Sequence, residues 1–518
     1  MAKVKIISAI THLARGIITW GKDHPKEAAL LATILLIGAF LRLYRISEYM
    51  IFLGDEGRDA IIVRRLLVNA DPILVGPGTS VGNMYLGPIY YYLMAPALWL
   101  AGLSPVGPSI MVALFGVATV FVVWVFAREV FGGWAGAVAA ALYTLSPTVV
   151  TLSGFSWNPN IMPFFAILTV YSIWQFWREG KLAWVMVTAT AMGFVLQSHY
   201  LGLLLIPTIG VYWLLTLKKL ESEAKRRFLR YSLLGLLIFG VLMSPLFIFD
   251  ARHGWRNAIA MREFFRSGGG GLSFGIVASV KRFAGVIVEI TTNLLSGRIA
   301  LWGKAVLAGV LLSVGWIVLK WENIDRTKRD AFILFFGWFI FGVVGLSFYS
   351  HSVYDHYYGF LFPAPFLIIG GIAQVLGQKK IGKALVVLFT ALVVTVSIVG
   401  SHLWKSPSRQ MQRTQEVTDK IIQEAKGNSF NFAVIAERNY EGAYQYFLEK
   451  ENAPFLVIDA QKAGLTITRQ LFVICENTTS DCDPTHSPKT EIANFGWSKI
   501  EHIWEVGGVI LYKLVHSL

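Results

Sequence analysis

Charged side chains are scarce in this chain: Asp, Glu, Lys and Arg make up 15% of its 518 residues, against 55% hydrophobic residues. A soluble protein of this length needs far more charged surface to stay dispersed, so the composition excludes an ordinary soluble enzyme. Apolar runs of roughly 17–25 residues recur, the length that crosses a hydrocarbon layer of ~30 Å. The net charge is +14. The charged residues cluster between the apolar runs, so they indicate membrane topology and not nucleic acid binding.

Cysteine is also scarce, and several familiar motifs are missing. The sequence has no Walker loop, no dinucleotide-type GxGxxG and no HExxH, so neither ATP-driven transport nor a zinc protease is supported. Its two cysteines, Cys475 and Cys482, are too few for a disulfide-rich scaffold or a metal cluster. The sequence leaves open whether these two residues form a disulfide or stay as free thiols.

Hydropathy and length predict a multi-pass α-helical membrane protein with about eleven spans. The predicted spans are 28–45, 108–127, 133–152, 160–177, 183–200, 202–217, 231–249, 301–319, 331–349, 357–376 and 382–402. The first run is expected to be a retained anchor, without a cleavage site. Segment 86–101 is apolar but short and broken by Pro88 and Pro96, which favours a helix lying in the interface.

The distribution of Lys and Arg predicts the orientation, because short cytoplasmic loops are basic. Loops 153–160 and 350–356 contain no Lys or Arg, which favours a cytoplasmic N-terminus and an outer C-terminus in the plasma membrane. The alternate loops carry the basic residues Arg128, Arg178, Lys181, Lys218, Lys219, Lys225, Arg226, Arg227, Arg230, Lys320, Arg326, Lys328, Arg329, Lys379, Lys380 and Lys383.

The chain changes character after Leu403, where the long apolar runs stop. Short β-rich runs at 432–436, 455–459, 471–475 and 508–514 then alternate with helical stretches at 414–426 and 440–450. We therefore predict a transmembrane domain over 1–403 and a small extracytoplasmic α/β domain over 404–518.

Polar residues collect at the outer ends of the predicted spans, which indicates a polar chamber opening outward. A transporter would instead need polar groups near mid-membrane, often on paired broken helices. The candidate substrate-binding residues at these ends are Arg58, Tyr85, Trp157, Asn158, Asn160, His199, His356 and Tyr357.

The first outward loop contains the acidic pair Asp55 and Glu56. An interfacial helix is predicted to start at Gly54 and to end at 69–72. From the pattern alone, Asp55 is more simply a cap of that helix, since a carboxylate satisfies free N–H groups. The functional alternative is a carboxylate beside an apolar surface that accepts a proton from an incoming hydroxyl or amine.

Segment 250–300 is rich in arginine, and Arg262 and Arg266 are the candidates there. Their guanidinium groups match phosphate oxygens, although a surface that meets solvent or lipid headgroups is an equal alternative. The Gly268–Gly271 run would let this segment close over a bound lipid. We expect no nucleotide cofactor, and no clear ligand set supports a metal site, although a divalent cation beside the histidines stays open.

In this order, the motifs resemble those of GT-C membrane glycosyltransferases, in particular the family 39 branch that includes protein mannosyltransferase-like and aminoarabinose transferase-like enzymes. The resemblance covers roughly 28–403. It is carried by LRLYRI, LGDEGRDA, LGPIYYYLMAP, AREVFGG, SGFSWNPNIMPFF and HYYGFLFPAPFLIIGG. Departures are Leu86–Gly87 before Pro88, Ser109 in place of an arginine, and Asn158 or Asn160 in place of an aspartate.

The resemblance implies an inverting transferase that takes a sugar from a polyprenyl-phosphate-linked donor at the outer membrane face. The acceptor would be a protein, a glycolipid or a cell-surface polymer. Asp55 would be the general base or acceptor-orienting carboxylate, and Glu56 would shape the same site. Two rival functions are a transporter or flippase of lipid-linked glycans and a non-catalytic membrane subunit.

Overall fold

The computed structural model describes residues 19–79, 84–267, 275–476 and 482–517. Its membrane part is helical. The α-helices of this part are Pro25–Leu43, Ile46–Tyr49, Gly54–Asn69, Ile89–Leu100, Val106–Phe131, Gly133–Leu145, Pro147–Leu152, Met162–Trp177, Trp184–Ser198, Ile206–Lys219, Ser222–Arg252, Arg256–Ser267, Ile276–Leu295, Ala300–Leu319, Arg326–Ser347, Pro363–Leu376 and Lys380–Val399. Short 3-10 helices lie at Asn158–Ile161, Tyr200–Leu205, Trp321–Asn323, Asp355–Leu361 and His402–Trp404.

All eleven predicted spans are helical, and the chain is a multi-pass membrane protein. Within the described residues, six helices are long and apolar enough to cross a membrane, or seven with the pair Asp355–Leu361 and Pro363–Leu376, which bends by 49°. The other predicted spans are shorter, carry charged residues or are interrupted. The run 133–152 breaks at Ser146, because Pro147 lacks an N–H and disfavours a helical residue before it.

The segment predicted to lie in the interface forms the helix Ile89–Leu100. Its 12 residues extend about 18 Å at 1.5 Å per residue, too short for a hydrocarbon layer of ~30 Å. Its length therefore agrees with the prediction that it does not cross.

Ion pairs join the helix ends that carry the basic loops. Arg128 Nε contacts Glu27 Oε2 at 2.6 Å, and Arg178 Nε contacts Asp330 Oδ2 at 3.1 Å. The helix that ends beside Arg128 begins near Leu103, whose carbonyl accepts a hydrogen bond from Tyr446 Oη at 2.6 Å. The C-terminal region therefore packs on the end of the bundle opposite to these ion pairs.

The C-terminal region combines a mixed sheet with helices. Its strands are β1 (Asn431–Ile435), β2 (Gln470–Cys475), β3 (Ser498–Val506) and β4 (Val509–His516), and its α-helices are Gln410–Ala425, Gly442–Lys450, Ala463–Thr466 and Thr490–Phe495. The order is β1-β2-β4-β3, with β1 and β2 parallel and the other pairs antiparallel. Cys475 and Cys482 form a disulfide at the end of β2.

One strand prediction is wrong, and one strand of the sheet was missed. The run 455–459 is not a strand: Phe455 makes a single bridge to Phe430, and Leu456 and Val457 are exposed. Strand β3 was not predicted, because it is an exposed edge strand without a buried apolar face. A signal for it exists in Gly507–Gly508, whose φ values of 58° and 76° suit the tight hairpin that joins β3 to β4.

Candidate functional site

The site begins at the helix Gly54–Asn69, hereafter the first-loop helix, which confirms the helix predicted after the first span. Glu56 Oε2 accepts a hydrogen bond from the backbone N–H of Leu53 at 2.9 Å and so caps the helix. Ala60, Ile61 and Val63 are buried and fix the helix against the bundle. The capping role that the sequence pattern offered to Asp55 therefore belongs to Glu56.

Asp55 is held by side chains instead. Its Oδ1 accepts hydrogen bonds from Tyr440 Oη at 2.7 Å and from Arg58 Nη1 at 2.9 Å. No donor in the described part of the chain contacts Oδ2. The Asp55 side chain is 43% exposed, so this second oxygen is available to a bound molecule.

Two other carboxyl groups on the first-loop helix are buried. Burial raises the pKa of Glu56 to about 7 and that of Asp59 to about 6, although Arg58 opposes the second shift. Asp59 Oδ1 accepts hydrogen bonds from Arg58 Nη2 at 2.8 Å and from Tyr91 Oη at 2.9 Å. Arg58 therefore joins the buried Asp59 to the accessible Asp55.

A cavity of about 470 Å³ opens beside Asp55. Its walls come from the loop that follows the first span, the ends of several membrane helices on the same side of the bundle and the C-terminal region. It is lined by Asp55, Arg58, Pro77, Gly78, Thr79, Met84, Leu86, Trp157, Asn158, Pro159, His199, Tyr200, Leu201, Phe264, Tyr349, His356, Tyr357 and Tyr440.

One wall of the cavity is aromatic. The ring centroids of Trp157 and His356 are 4.5 Å apart, those of His356 and Tyr357 are 4.6 Å apart, and those of His199 and Tyr357 are 5.1 Å apart. Asn158 Nδ2 donates to the carbonyl of Ser198 at 2.7 Å, which fixes this wall to the neighbouring helix end. Such rings present flat apolar faces, and their polar edges can orient a polar ligand.

Three candidates do not line the cavity. Glu56, expected to shape the catalytic site, is turned to the backbone of Leu53. Asn160 is buried, and its Nδ2 donates to the carbonyl of Phe155 at 3.1 Å. The Tyr85 ring packs edge-on against Phe249, so this residue serves the wall through its backbone.

Arg262 and Arg266 also lie away from the cavity. They belong to the helix Arg256–Ser267, hereafter the arginine helix, which lines the cavity with Phe264. A residue two positions away on a helix points about 200° around the axis, so both arginines project from the opposite, exposed face. This placement favours the surface alternative over phosphate capture in the cavity. The Gly268–Gly271 run lies outside the described residues.

The residues that could hold a metal are the cavity histidines. His199 and His356 approach each other with centroids 5.8 Å apart, but the neighbours described above are aromatic. Across the described ranges, no three His, Cys, Asp or Glu residues come together as a metal-binding group.

Sequence reasoning missed Tyr440, Tyr349 and Asn257. Tyr440 lies in the C-terminal region, 385 residues from its partner Asp55, and no sequence pattern connects the two. Asn257 lies in the arginine-rich segment 250–300, where the sequence pattern pointed to the arginines. Its Oδ1 accepts from the Tyr85 N–H at 2.7 Å, and its Nδ2 donates to Tyr200 Oη at 3.1 Å.

Comparison with solved structures identifies the fold. The chain is similar to ArnT from Cupriavidus metallidurans bound to undecaprenyl phosphate, with a TM-score of 0.55 and 14% identity over 94% of this chain and 97% of that one. The apo state of that protein gives a TM-score of 0.57 over the same shares, again at 14% identity. The archaeal oligosaccharyltransferase AglB from Archaeoglobus fulgidus, in complex with an inhibitory peptide and a dolichol-phosphate, gives 0.50 at 12% identity, covering 88% of this chain and 70% of that one.

The family model described as dolichyl-phosphate-mannose-protein mannosyltransferase matches residues 86–249. That stretch contains Trp157, Asn158 and His199, while Asp55 precedes it. A comparison with curated protein sequences finds no match. The predicted resemblance to GT-C glycosyltransferases of the family 39 type and the predicted fold class are confirmed by the family match and the structural neighbours together.

Proposed function

We propose that this GT-C membrane protein is an inverting glycosyltransferase that uses a polyprenyl-phosphate-linked sugar as donor. The observation that carries the proposal is the Asp55 carboxylate at the cavity, held through Oδ1 and open at Oδ2. The family match over 86–249 and the similarity to proteins crystallised with undecaprenyl phosphate or dolichol-phosphate support this donor class.

The reaction needs one base and one departing phosphate. Asp55 Oδ2 accepts the proton of the acceptor hydroxyl or amine while that atom attacks the anomeric carbon of the sugar. The new bond forms on the face opposite to the lipid phosphate, whose bond to the anomeric carbon breaks, so the configuration inverts. Arg58 is the only Lys or Arg on the described cavity lining and stabilises the negative charge of the site.

The orientation of the site in the cell is part of the proposal. The cavity and the C-terminal region lie at the helix ends opposite to the ion pairs of Arg128 and Arg178. If the basic loops are cytoplasmic, transfer takes place on the outer face of the plasma membrane. An acceptor protein, glycolipid or polymer would then reach the cavity without crossing the bilayer.

The cavity itself favours transfer over translocation. It lies where Asp55, Trp157, His199 and His356 meet at one end of the bundle. A flippase needs a polar path that opens alternately to both sides.

The test is sugar transfer in membranes supplied with a panel of radiolabelled polyprenyl-phosphate sugars. Asp55→Asn keeps the size and the hydrogen-bond acceptor but removes the base, so transfer is expected to fall by about 10²–10⁴-fold. Asp71→Asn is the matched control, because Asp71 is an exposed acid in the same outward loop. Unchanged transfer by correctly inserted Asp55→Asn would refute the role of Asp55, and inactivity of the wild type with every donor would refute the proposed function.

A further inference from the structure

The first-loop helix packs against the C-terminal helix Gly442–Lys450, hereafter the clasp helix. The two helices are so close that their backbones are in contact. A Cβ atom added to Gly57 would lie 2.3 Å from the backbone of Gly442 and Ala443, and one added to Gly442 would lie 2.3 Å from the carbonyl of Gly54. Real Cβ atoms do not approach other atoms so closely. Glycine at these positions therefore permits a contact that no other residue would.

Polar contacts fix the same interface. Asn439 Oδ1 accepts from the Gly54 N–H at 2.8 Å, while Asn439 Nδ2 donates to Glu476 Oε1 at 2.7 Å. Tyr444 Oη donates to the same Glu476 oxygen at 2.6 Å. The segment that precedes the clasp helix is thus tied both to the start of the first-loop helix and to the end of β2.

Tyr440 lies beside these contacts, at the same interface. Its ring lies against Gly54, where an added Cβ would be 2.3 Å from the ring. Its hydroxyl donates to Asp55 Oδ1 at 2.7 Å and accepts from Arg58 Nη1 at 3.4 Å. Burial, and to a lesser extent the hydrogen bond to Asp55, raises the pKa of the Tyr440 phenol, so the hydroxyl keeps its proton and acts as a donor.

We infer that the C-terminal region is part of the catalytic machinery: Tyr440 is a positioning residue that holds Asp55 by Oδ1 and leaves Oδ2 to act on the acceptor. The inference rests on the proposed function and deepens it. A carboxylate pinned at one oxygen has one orientation, and correct orientation of a base is a large part of its effect. To the hydrogen bond from Arg58 on the same helix, Tyr440 adds a second donor that comes from the C-terminal region.

Tyr440→Phe tests this inference, because it removes the hydroxyl and keeps the ring beside Gly54. We expect kcat to fall about ten- to a hundredfold, with the KM of the donor changed by less than about threefold. The melting temperature of the purified protein should stay that of the wild type.

Tyr446→Phe is the matched control. Its hydroxyl crosses the same interface but donates to the carbonyl of Leu103 at 2.6 Å, away from Asp55. We expect a lower melting temperature and an unchanged kcat. If Tyr440→Phe behaves like Tyr446→Phe, with its kcat unchanged, the inference is overturned while the proposed function stands.

A second measurement does not depend on transfer. With 3-fluorotyrosine at position 440, the ¹⁹F chemical shift at neutral pH reports the surroundings of the phenol in wild-type and Asp55→Asn protein. A chemical shift that differs between the two proteins supports the contact, because loss of the carboxylate charge changes the electric field at the ring. Equal chemical shifts overturn the inference, even for a protein that transfers sugar from none of the donors.

Discussion

The first-loop helix and the arginine helix each contribute to the cavity, but they are attached to the protein in different ways. The first-loop helix is clasped along its start by the C-terminal region, through glycine contacts and the bonds of Asn439 and Tyr440. The first turn of the arginine helix is held by Asp250, which accepts hydrogen bonds from the N–H groups of Asn257 and Ala258. The carboxylate that we propose as the base thus lies on the helix that the C-terminal region contacts at backbone distance.

This difference has a chemical reason. A base must be placed within a fraction of an ångström of the proton that it takes, whereas a wall that admits a long lipid must allow entry. The arginine helix follows a turn in which Gly254 and Trp255 have φ values of 69° and 60°. This turn redirects the chain between the long helix Ser222–Arg252 and the arginine helix.

The largest expected effect comes from breaking the clasp with Gly57→Ala. The new Cβ would meet backbone atoms of Gly442 and Ala443 at 2.3 Å, and backbone cannot move aside as a side chain can. Displacement of Tyr440 and Asp55 is expected to lower kcat by about a hundredfold and to destabilise the fold by about 1–3 kcal/mol. Transfer rates and thermal unfolding measure both effects. Gly240→Ala, in open space, is the control; equal behaviour of the two variants would contradict the close contact.

A smaller effect is expected when the arginine helix is loosened with Asn257→Ala. The change removes the acceptor of the Tyr85 N–H and the donor to Tyr200 Oη. We expect the KM of the donor to rise about tenfold with kcat within about threefold, and faster hydrogen exchange over 256–267. Asn494→Ala, which changes an exposed asparagine of the C-terminal region, should affect neither. A loss confined to kcat would place the arginine helix with the catalytic wall instead.

Glu56→Gln should change stability in a pH-dependent way. Burial raises the pKa of Glu56 in the folded chain to about 7 from its usual value of 4.5, so the folded state favours the neutral acid. That stabilisation is present below pH about 4.5 and is lost as the pH rises through about 7. Glutamine stays neutral and keeps an oxygen for the Leu53 N–H. The two proteins should have the same melting temperature at pH 5. At pH 8 the free energy of unfolding of the variant should be higher by up to about 3 kcal/mol. A stability difference that does not depend on pH would show that Glu56 is not desolvated.

The smallest effect is expected for Arg65→Ala, at the solvent edge of the clasp. Arg65 Nη2 lies 2.5 Å from Glu449 Oε1, but the arginine side chain is 47% exposed. Water and salt screen such a pair, so the free energy of unfolding should fall by less than about 1 kcal/mol. Thermal unfolding at low and high salt measures it, and kcat should not change. A large loss would mean that ion pairs, more than the glycine contacts, hold the clasp.

Much of the site could be predicted from the sequence because its polar residues stand out against apolar spans. Asp55, Arg58, Trp157, Asn158, His199, His356 and Tyr357 were all expected, and the structure brings them to one cavity. Glu56, Asn160, Arg262 and Arg266 were also polar and near span ends, but which way each side chain turns is decided by helix phase and by local hydrogen bonds. Hydropathy contains neither kind of information. The roles of all these residues in transfer stay predictions.

The sequence by itself determined the membrane character, the helical bundle, the first-loop helix and the change to an α/β region after residue 403, because each depends on composition and on periodicity along the chain. Tertiary structure decided which acid caps the helix and which meets the cavity. It also decided that Tyr440 reaches Asp55 across 385 residues. Such a contact depends on two distant glycine-containing segments packing at backbone distance, and no local pattern in either segment specifies its partner.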